Sequence, residues 1–335
     1  MKTVRWGIIG CGNVTEIKSG PAFQKVNGSQ LVAVMRRDAA KARDYARRHG
    51  VPKWYSDAQA LIDDPDVDAV YIATPPSTHH PYTLAAARAG KPVYVEKPMA
   101  LNAAQCQEMI SACQAAGVPL FVAYYRRALP RFLKVKELVD SGAIGQLRSV
   151  RVDLALPLRV PPPNELPWRL NPEIAGGGLF VDLASHALDY LDFLLGPVKS
   201  ACGFAANHAG AYPAEDIVSA AFEFESGVQA VGQWLFSSSE NVDRIELIGA
   251  RGKLSLTVFD ESPILLQTPS GTEYFAISNP AHIQQSLIQQ IVDQLRGFGQ
   301  CSSTGETALR TTRLMEQLLS GYYSAPLKSP PLASL

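Results

Sequence analysis

An acid, an imidazole and a second acid stand at helical spacing in the middle of the chain: Asp182, His186 and Asp189. On a wheel of about 100° per residue they gather on one side of a predicted helix over residues 178–195, opposite its apolar side. A carboxylate one turn from an imidazole orients the ring and raises its basicity, as a general base needs when hydride leaves the same carbon. Spacing alone leaves a solvated polar face and a metal site open, although no fourth metal ligand stands nearby at a recognised spacing.

A lysine at the end of a predicted strand is the second candidate. Lys97 lies in the sequence EKP at residues 96–98. Ligands of open α/β sheets bind beyond the carboxyl ends of the strands, so an ammonium there can donate to the reacting oxygen and stabilise alkoxide character. The alternative is an ordinary surface lysine. Thr74 and Pro75 follow an earlier strand at the same edge, and either wall a cofactor site or merely stop the strand.

A glycine turn follows the first predicted strand. The sequence GCGNVT at residues 10–15 has the first two glycines of the dinucleotide fingerprint, between an apolar run and an amphipathic stretch. Only glycine lets the backbone turn this tightly and approach a pyrophosphate at a helix N-terminus. The third position is Thr15 rather than Gly or Ala. The predicted cofactor-binding residues of this turn are Gly10, Gly12, Asn13 and Val14.

The end of the second predicted strand bears on the choice of dinucleotide. Arg36 and Arg37 stand there, before Asp38, where NAD-binding proteins place an acid that accepts from the ribose 2′-hydroxyl. Two guanidiniums can grip a 2′-phosphate, so the charge favours NADP(H), with NAD(H) as the alternative cofactor. An Asp38 that caps the following helix is the competing interpretation of this segment.

The alternation of short apolar strands with helices over the first part of the sequence predicts a doubly wound parallel sheet, a Rossmann domain over residues 1–123. Longer alternating runs follow, and two of them are joined by the hairpin signal at 225–227. They predict a second α/β domain over residues 124–335, with a large, mostly antiparallel open sheet and one interrupting helix.

Composition excludes several classes of protein. The 335 residues hold 31 Lys and Arg against 31 Asp and Glu, so no net charge favours a nucleic acid or an anionic membrane. No apolar run is long and unbroken enough for a membrane span. Five cysteines show no CxxC spacing, and the opening residues carry no secretion signal, so we expect free thiols and a cytoplasmic location.

These motifs together resemble the Gfo/Idh/MocA family of nicotinamide-dependent oxidoreductases over essentially the whole sequence. The resemblance is carried by six segments in order: GCGN at 10–13, ATP at 73–75 with His79 downstream, EKP at 96–98, YRR at 125–127, WR at 168–169, and GGG at 176–178 leading into Asp182 and His186. Such proteins pair a Rossmann domain with an α/β domain whose open sheet joins subunits, which implies a homodimer or homotetramer.

The resemblance also implies residue roles. The catalytic set would be Lys97, Asp182 and His186, with His186 as general base in oxidation and general acid in reduction. Cofactor contacts would come from Thr74, Pro75, His79, Glu96 and Lys97 besides the glycine turn and Arg36 and Arg37. Substrate contacts would come from Lys97, Tyr125, Arg126, Trp168, Arg169, Asp182 and His186. No metal is implied.

The substrate implied by the resemblance is a sugar, a sugar derivative or a cyclitol, oxidised at a secondary alcohol or reduced at the matching carbonyl. Trp168 beside Arg169 suits a carbohydrate, although it could equally fill the seam between the domains. Tyr125 stands where Asn is frequent in the family. The related dihydrodiol dehydrogenases have Tyr at the position of His186, so His186 favours the sugar type. Two rival functions stay open, a regulator that binds the dinucleotide without catalysis and a glycosidase that uses NAD transiently.

Overall fold

The computed structural model describes residues 3–162 and 164–323. The polypeptide forms two compact units. The first unit consists of the residues up to Lys134 together with Ser278–Leu309, and the second of Val135–Ile277 together with the residues from Arg310 onward. A late segment of the sequence, Ser278–Leu309, thus belongs to the first unit.

A six-stranded parallel sheet forms the centre of the first unit, in the order β3-β2-β1-β4-β5-β6. This is the strand order of dinucleotide-binding Rossmann domains, as predicted. Its strands are β1 (Val4–Ile9), β2 (Ser29–Met35), β3 (Lys53–Tyr55), β4 (Ala69–Ile72), β5 (Val93–Val95) and β6 (Leu120–Val122). The edge strand β3 was not predicted, because its three residues are half-buried or exposed and form no apolar run.

Helices cover the two faces of this sheet, so β4 and β5 are buried along their whole length. The helices are α1 (Asn13–Ile17), α2 (Ala39–His49), α3 (Ala58–Asp63), α4 (His79–Arg88), α5 (Ala103–Ala115) and, from the returning segment, α9 (Gln285–Leu295). Local sequence sets the ends of α2: the Asp38 side chain accepts from the Lys41 amide, and Gly50 follows the helix with φ +64°. The capping interpretation of Asp38 is therefore confirmed.

An eight-stranded sheet forms the second unit, in the order β14-β13-β12-β11-β7-β10-β9-β8. All its neighbours are antiparallel except β7 and β10, so the predicted mostly antiparallel sheet is confirmed. Its strands are β7 (Leu147–Pro157), β8 (Val198–Ala206), β9 (Ile217–Phe224), β10 (Gln229–Ser238), β11 (Val242–Gly249), β12 (Lys253–Leu256), β13 (Ile264–Thr268) and β14 (Gly271–Phe275). The last two were not predicted; β14 is exposed along nearly its whole length and lacks a buried alternation.

The helical stretch of the second unit carries the candidate acid and imidazole. A π-helical turn, Phe180–Ala184, precedes α8 (Ser185–Leu195), and a short helix, α7 (Pro172–Ala175), comes before both. The backbone passes between the units at three places: within α6 (Pro130–Asp140), between Ile277 and Ser278, and within α10 (Gly305–Tyr323). The predicted helix over 178–195 is thus present, but its first turn is not α-helical.

Candidate active site

The glycine turn after β1 has the form that a dinucleotide requires. Gly10 has φ +93°, and a Cβ added to it would lie 2.6 Å from Cγ2 of Thr74. The Gly10 and Cys11 amides donate to the Met35 carbonyl at 2.9 and 3.1 Å, which fastens the turn to the end of β2. Glycine is therefore required at position 10 by both conformation and space.

Thr15 replaces the third glycine of the fingerprint without disturbing the turn. Its buried hydroxyl donates to the Gly12 carbonyl at 2.8 Å, and its own carbonyl accepts from the Tyr45 hydroxyl at 2.7 Å. Asn13 and Val14 open α1 directly after Gly12. The departure from the sequence pattern is thus accommodated by the threonine hydroxyl, which bonds back to the turn, while the backbone carbonyl of the same residue still accepts from Tyr45.

The two arginines after β2 lie beside this turn. Arg36 Nη1 donates to the Cys11 carbonyl at 3.2 Å, and Arg37 is exposed. Asp38, the first acid of the segment, is occupied as the cap of α2 and pairs with the Lys41 ammonium at 3.5 Å. The Lys41 amide lowers the pKa of Asp38. Asp38 therefore acts as the N-cap of α2, and the charge beside the glycine turn is the positive charge of Arg36 and Arg37.

His79 joins the loops that follow β4 and β5. Its ring is fully buried, with Nε2 2.7 Å from the Thr74 carbonyl and Nδ1 3.0 Å from the Pro98 carbonyl. Burial lowers the pKa of His79. Both ring nitrogens lie within hydrogen-bond distance of backbone carbonyls, and a neutral ring donates to one of the two, so His79 packs between Thr74 and Pro98 and links the loops that carry them. Thr74 and Pro75 themselves are half-buried.

Lys97 follows β5 at the carboxyl edge of the sheet, as predicted, and the Lys97–Pro98 peptide bond is cis. Lys97 is half-buried. Its amide donates to Oε2 of the buried Glu96 at 3.3 Å. The lysine is thus presented at the edge where the ligands of such sheets bind.

A buried polar network holds the Glu96 carboxylate beneath Lys97. Oε1 of Glu96 accepts from the Tyr71 hydroxyl at 2.5 Å and from the Gln284 side-chain amide at 2.6 Å. The Tyr94 hydroxyl donates to Oε1 of Gln284 at 2.7 Å. Burial, then the Glu96 charge, raises the pKa of Tyr71 and of Tyr94 well above the usual value, so both hydroxyls keep the protons that they donate. Gln284 was not identified from sequence, because it comes from the returning segment.

Tyr125 and Arg126 lie in a single 3-10 turn, Tyr125–Ala128, and both are buried. The Arg126 guanidinium stands 5.1 Å from the Tyr125 ring centroid and 5.8 Å from that of Phe132. The structure thus brings these two predicted substrate residues together as a cation–aromatic pair within the first unit.

In the second unit, Trp168, Arg169 and Asp182, three of the residues that the resemblance implies as substrate contacts, lie together. Arg169 Nε lies 3.2 Å from Oδ2 of Asp182, and its guanidinium lies 4.2 Å from the Trp168 ring centroid. Asp182 is on the π-helical turn, a conformation often found at functional sites. The Arg169 guanidinium therefore contacts both the Asp182 carboxylate and the face of the Trp168 ring.

His186 and Asp189 lie on α8 and are buried, with exposed fractions of 4% and 0%. The Thr311 hydroxyl donates to Oδ1 of Asp189 at 3.5 Å. The interpretation of this helix side as a solvated polar face is therefore wrong. The wheel assumed a regular helix on a protein surface, whereas nine of the eleven residues of α8 are buried by tertiary packing.

Two residues of this region were missed by sequence reasoning. Phe259 presents its ring to His186, with the ring centroids 6.0 Å apart. Buried Glu215 accepts from the Gly178 amide at the start of the helical stretch. Phe259 follows β12 and Glu215 precedes β9, and nothing in the local sequence marks either position as functional. Within residues 3–162 and 164–323, no three His, Cys, Asp or Glu side chains form a group that could hold a metal ion.

Family models match both parts of the sequence. Residues 4–124 match the oxidoreductase family with an NAD-binding Rossmann fold, and residues 132–255 match the GFO/IDH/MocA C-terminal domain. The chain belongs to the Gfo/Idh/MocA family. The family and the fold class predicted from sequence are thereby confirmed, as is the enzyme class, a nicotinamide-dependent dehydrogenase or reductase.

Several members of the family are similar to this protein over nearly its whole length. Oxidoreductase P35 of Formosa agariphila is 40% identical, over 93% of this chain and 97% of its own. The 1,5-anhydro-D-fructose reductase of Ensifer adhaerens is 31% identical, over 90% of this protein and 91% of the reductase. The crystal structure of aldose-aldose oxidoreductase from Caulobacter crescentus, complexed with glycerol, gives a TM-score of 0.84 at 27% identity, over 96% and 98% of the two proteins.

This Gfo/Idh/MocA protein has no membrane-spanning helix in the part that the structure describes, since none of its helices there is both long and apolar enough. All five of its cysteines are free thiols.

Proposed function

We propose that the protein interconverts a secondary alcohol and a carbonyl of a sugar, a sugar derivative or a cyclitol, with NADP(H) preferred. The observation that carries the proposal is the buried imidazole of His186 on α8, just after a carboxylate, Asp182, that Arg169 fixes at 3.2 Å. Two relatives of the family with named activities, the anhydrofructose reductase and the aldose-aldose oxidoreductase, act on sugars and support this substrate class.

The dinucleotide fits the first unit. Gly10 and Gly12 have no side chains that would keep a pyrophosphate away from the backbone of the turn. A Cβ at Gly10 would also collide with Thr74, so the turn requires glycine at this position. The residues that would hold the group are Gly10, Gly12, Asn13, Val14, Arg36, Arg37, Thr74, Pro75, Glu96 and Lys97, with His79 holding the two loops. A bound nicotinamide supplies or accepts the hydride.

The preference for NADP(H) is supported by the residues at the end of β2. Arg36 is held at the turn by the Cys11 carbonyl, and Arg37 is exposed beside it. Asp38 is occupied by the α2 amide and by Lys41. A ribose 2′-phosphate would therefore meet guanidinium groups rather than a carboxylate.

Side chains of the protein then transfer the proton of the substrate hydroxyl. His186 takes the hydroxyl proton in oxidation and returns it in reduction. Asp182 keeps the imidazole oriented and is itself fixed by Arg169. Lys97 donates to the reacting oxygen, and Glu96, clamped by Tyr71 and Gln284, supports the backbone of Lys97. Trp168, Arg169, Tyr125 and Arg126 complete the proposed substrate contacts.

Subunit pairing through the outer face of the eight-stranded sheet is the second part of the proposal. Cys202 pairs with Ala221, Ala221 with Val231, and Val231 with Arg151, so these side chains form one row on that face. Phe204, two residues from Cys202 on the same face, is 83% exposed. Sedimentation velocity should show a dimer or tetramer, and a Phe204→Asp and Val231→Asp double variant should sediment as a monomer. A wild-type monomer would refute the pairing. Free thiols throughout agree with a cytoplasmic location, which stays a prediction.

An initial-rate screen tests the redox function. Nicotinamide absorbance is followed with NADP(H) and with NAD(H) against aldoses, ketoses, lactones, anhydrosugars and cyclitols, with His186→Ala as the control. A rate that disappears in the variant supports the proposal. Dinucleotide binding without any rate would indicate a regulator, and release of free sugar without a net absorbance change would indicate a glycosidase.

A further inference from the structure

Phe259 is an exposed aromatic side chain next to a buried imidazole. Its ring and that of His186 are in edge-to-face contact, with centroids 6.0 Å apart and planes at 76°. His186 is 4% exposed, whereas Phe259 is 42% exposed. Part of the Phe259 ring therefore touches the imidazole, and the remaining surface of the ring is open beside it.

The loop that carries Phe259 is held by its own hydrogen bonds rather than by burial of the ring. The carboxylate of Asp243, on β11, accepts from the Val258 amide at 2.9 Å and from the Phe259 amide at 2.7 Å. The Thr257 hydroxyl donates to Oδ1 of Asp260 at 2.6 Å, which closes the turn after β12. An aromatic ring on a backbone fixed in this way loses little conformational freedom when a ligand packs on it.

We propose that Phe259 is the apolar wall against which a ring-shaped substrate lies while His186 transfers its proton. The inference rests on the proposed function, since it takes His186 as the acid/base group. A pyranose or cyclitol ring has C–H groups on a face and hydroxyls around its edge. The C–H face packs on an aromatic ring, and the edge needs polar partners.

The same unit supplies such polar partners. Arg169 and Asp182 are paired at 3.2 Å in the stretch that leads into α8, and Arg169 is exposed. An acyclic polyol has hydroxyls for these groups but no flat C–H face for Phe259. The arrangement therefore selects a cyclic substrate over an acyclic polyol with the same number of carbons and hydroxyls.

Kinetics of four proteins test the wall: wild type, Phe259→Ala, Phe259→Tyr and Phe298→Ala. Phe298 is a matched control, since it is 43% exposed, lies in the first unit and packs against the Arg296 guanidinium at 5.4 Å. The probes are 1,5-anhydro-D-fructose with NADPH, myo-inositol with NADP⁺, and the acyclic polyol sorbitol with NADP⁺.

We expect Phe259→Ala to lower kcat/KM for the ring substrates by about 10- to 200-fold, mainly through KM, because an apolar contact in the bound state is lost. The effect on sorbitol should be several-fold smaller. Phe259→Tyr should restore the wild-type value, and Phe298→Ala should keep it. A merely structural role would lower kcat for every substrate together and would not single out the ring compounds.

The outcomes separate this inference from the proposed function. If Phe259→Ala keeps a wild-type kcat/KM on ring substrates while His186→Ala loses turnover, the wall is refuted and the redox function stands. If His186→Ala keeps full turnover, both the acid/base role of His186 and the proposed role of Phe259 are refuted. If none of the probes is turned over, calorimetric titration of the two ring compounds with NADP⁺ present decides. Binding that Phe259→Ala loses supports the wall, and equal or absent binding overturns it.

Discussion

The backbone amide of Gly178 donates a hydrogen bond of 2.9 Å to Oε1 of the buried Glu215. Oε2 of the same carboxyl accepts from the Tyr323 hydroxyl at 2.5 Å. A Cβ added to Gly178 would lie 2.6 Å from Cβ of Ala214, so only glycine allows this approach. The segment that starts here leads through the π-helical turn into α8. Glu215 thus fixes the beginning of the segment on which His186 lies.

This contact predicts a pH dependence of stability. Burial raises the pKa of Glu215. The folded protein therefore binds the proton up to a higher pH than the unfolded polypeptide, in which the pKa is about 4.3. The stability contribution of this group is full below that pH and declines as the pH rises toward the folded pKa. Glu215→Gln, which has no such proton, should remove the decline.

Urea unfolding of the Glu215 variant over a pH series from about 4 to about 8 measures this effect. Glu225→Gln, at an exposed position in the same unit, is the control and should follow the wild type. Parallel curves for wild type and Glu215→Gln would contradict the prediction. Glu215→Ala, which leaves the buried Gly178 amide without its acceptor, should cost about 1–3 kcal/mol at every pH, whereas the hydroxyl of the exposed Tyr323 can donate to water instead.

Replacing the arginines after β2 should change the cofactor preference. Arg36→Asp with Arg37→Ala removes two cations and adds an anion where the 2′-phosphate would bind. The NADP-to-NAD ratio of kcat/KM should fall on the order of 10- to 100-fold, as the loss of a charged hydrogen bond predicts. Arg43→Asp with Arg47→Ala makes the same change of charge on the exposed side of α2 and should leave the ratio as it is. An unchanged ratio in the first variant would end the phosphate-binding hypothesis.

Removal of the proposed acid/base group should lower turnover without lowering cofactor affinity. His186→Ala should reduce kcat by about 10²- to 10⁴-fold, because only the proton-transfer contribution is lost. Steady-state kinetics and a fluorescence titration with NADPH measure the two quantities. His208→Ala, an exposed histidine of the same unit, is the control. Turnover close to wild type in His186→Ala would exclude this residue from the mechanism.

Lys97 should matter to turnover more than to stability. Lys97→Ala removes the ammonium that would stabilise negative charge on the reacting oxygen, so kcat should fall by about 10²- to 10³-fold. The melting temperature should stay near that of the wild type, because Lys97 is only half-buried. Lys199→Ala, exposed on β8 and paired with Glu223, provides the comparison. A large fall in melting temperature instead would assign Lys97 a structural role.

Several features of the site were predictable because they are local. The turn at Gly10, the cap of α2 at Asp38 and the position of Lys97 after a buried strand each depend on residues close together in sequence. The resemblance placed Arg169 and Asp182 in one implied substrate-binding set, and the ion pair between them was not predicted from sequence. Asp189 shows the limit: its spacing predicted a polar face, and packing against Thr311 placed it in the interior.

By itself, the sequence determined the alternation of strands and helices, the glycine turn, the charge beside it and the residue types that can move a proton. These follow from periodicity and backbone conformation, which act over a few residues. Only the tertiary structure decided that Gln284 returns to hold Glu96, that Glu215 holds Gly178, and that Phe259 stands beside His186. Those contacts join residues far apart in the sequence, and they form because sheet pairing and core packing bring separate segments together.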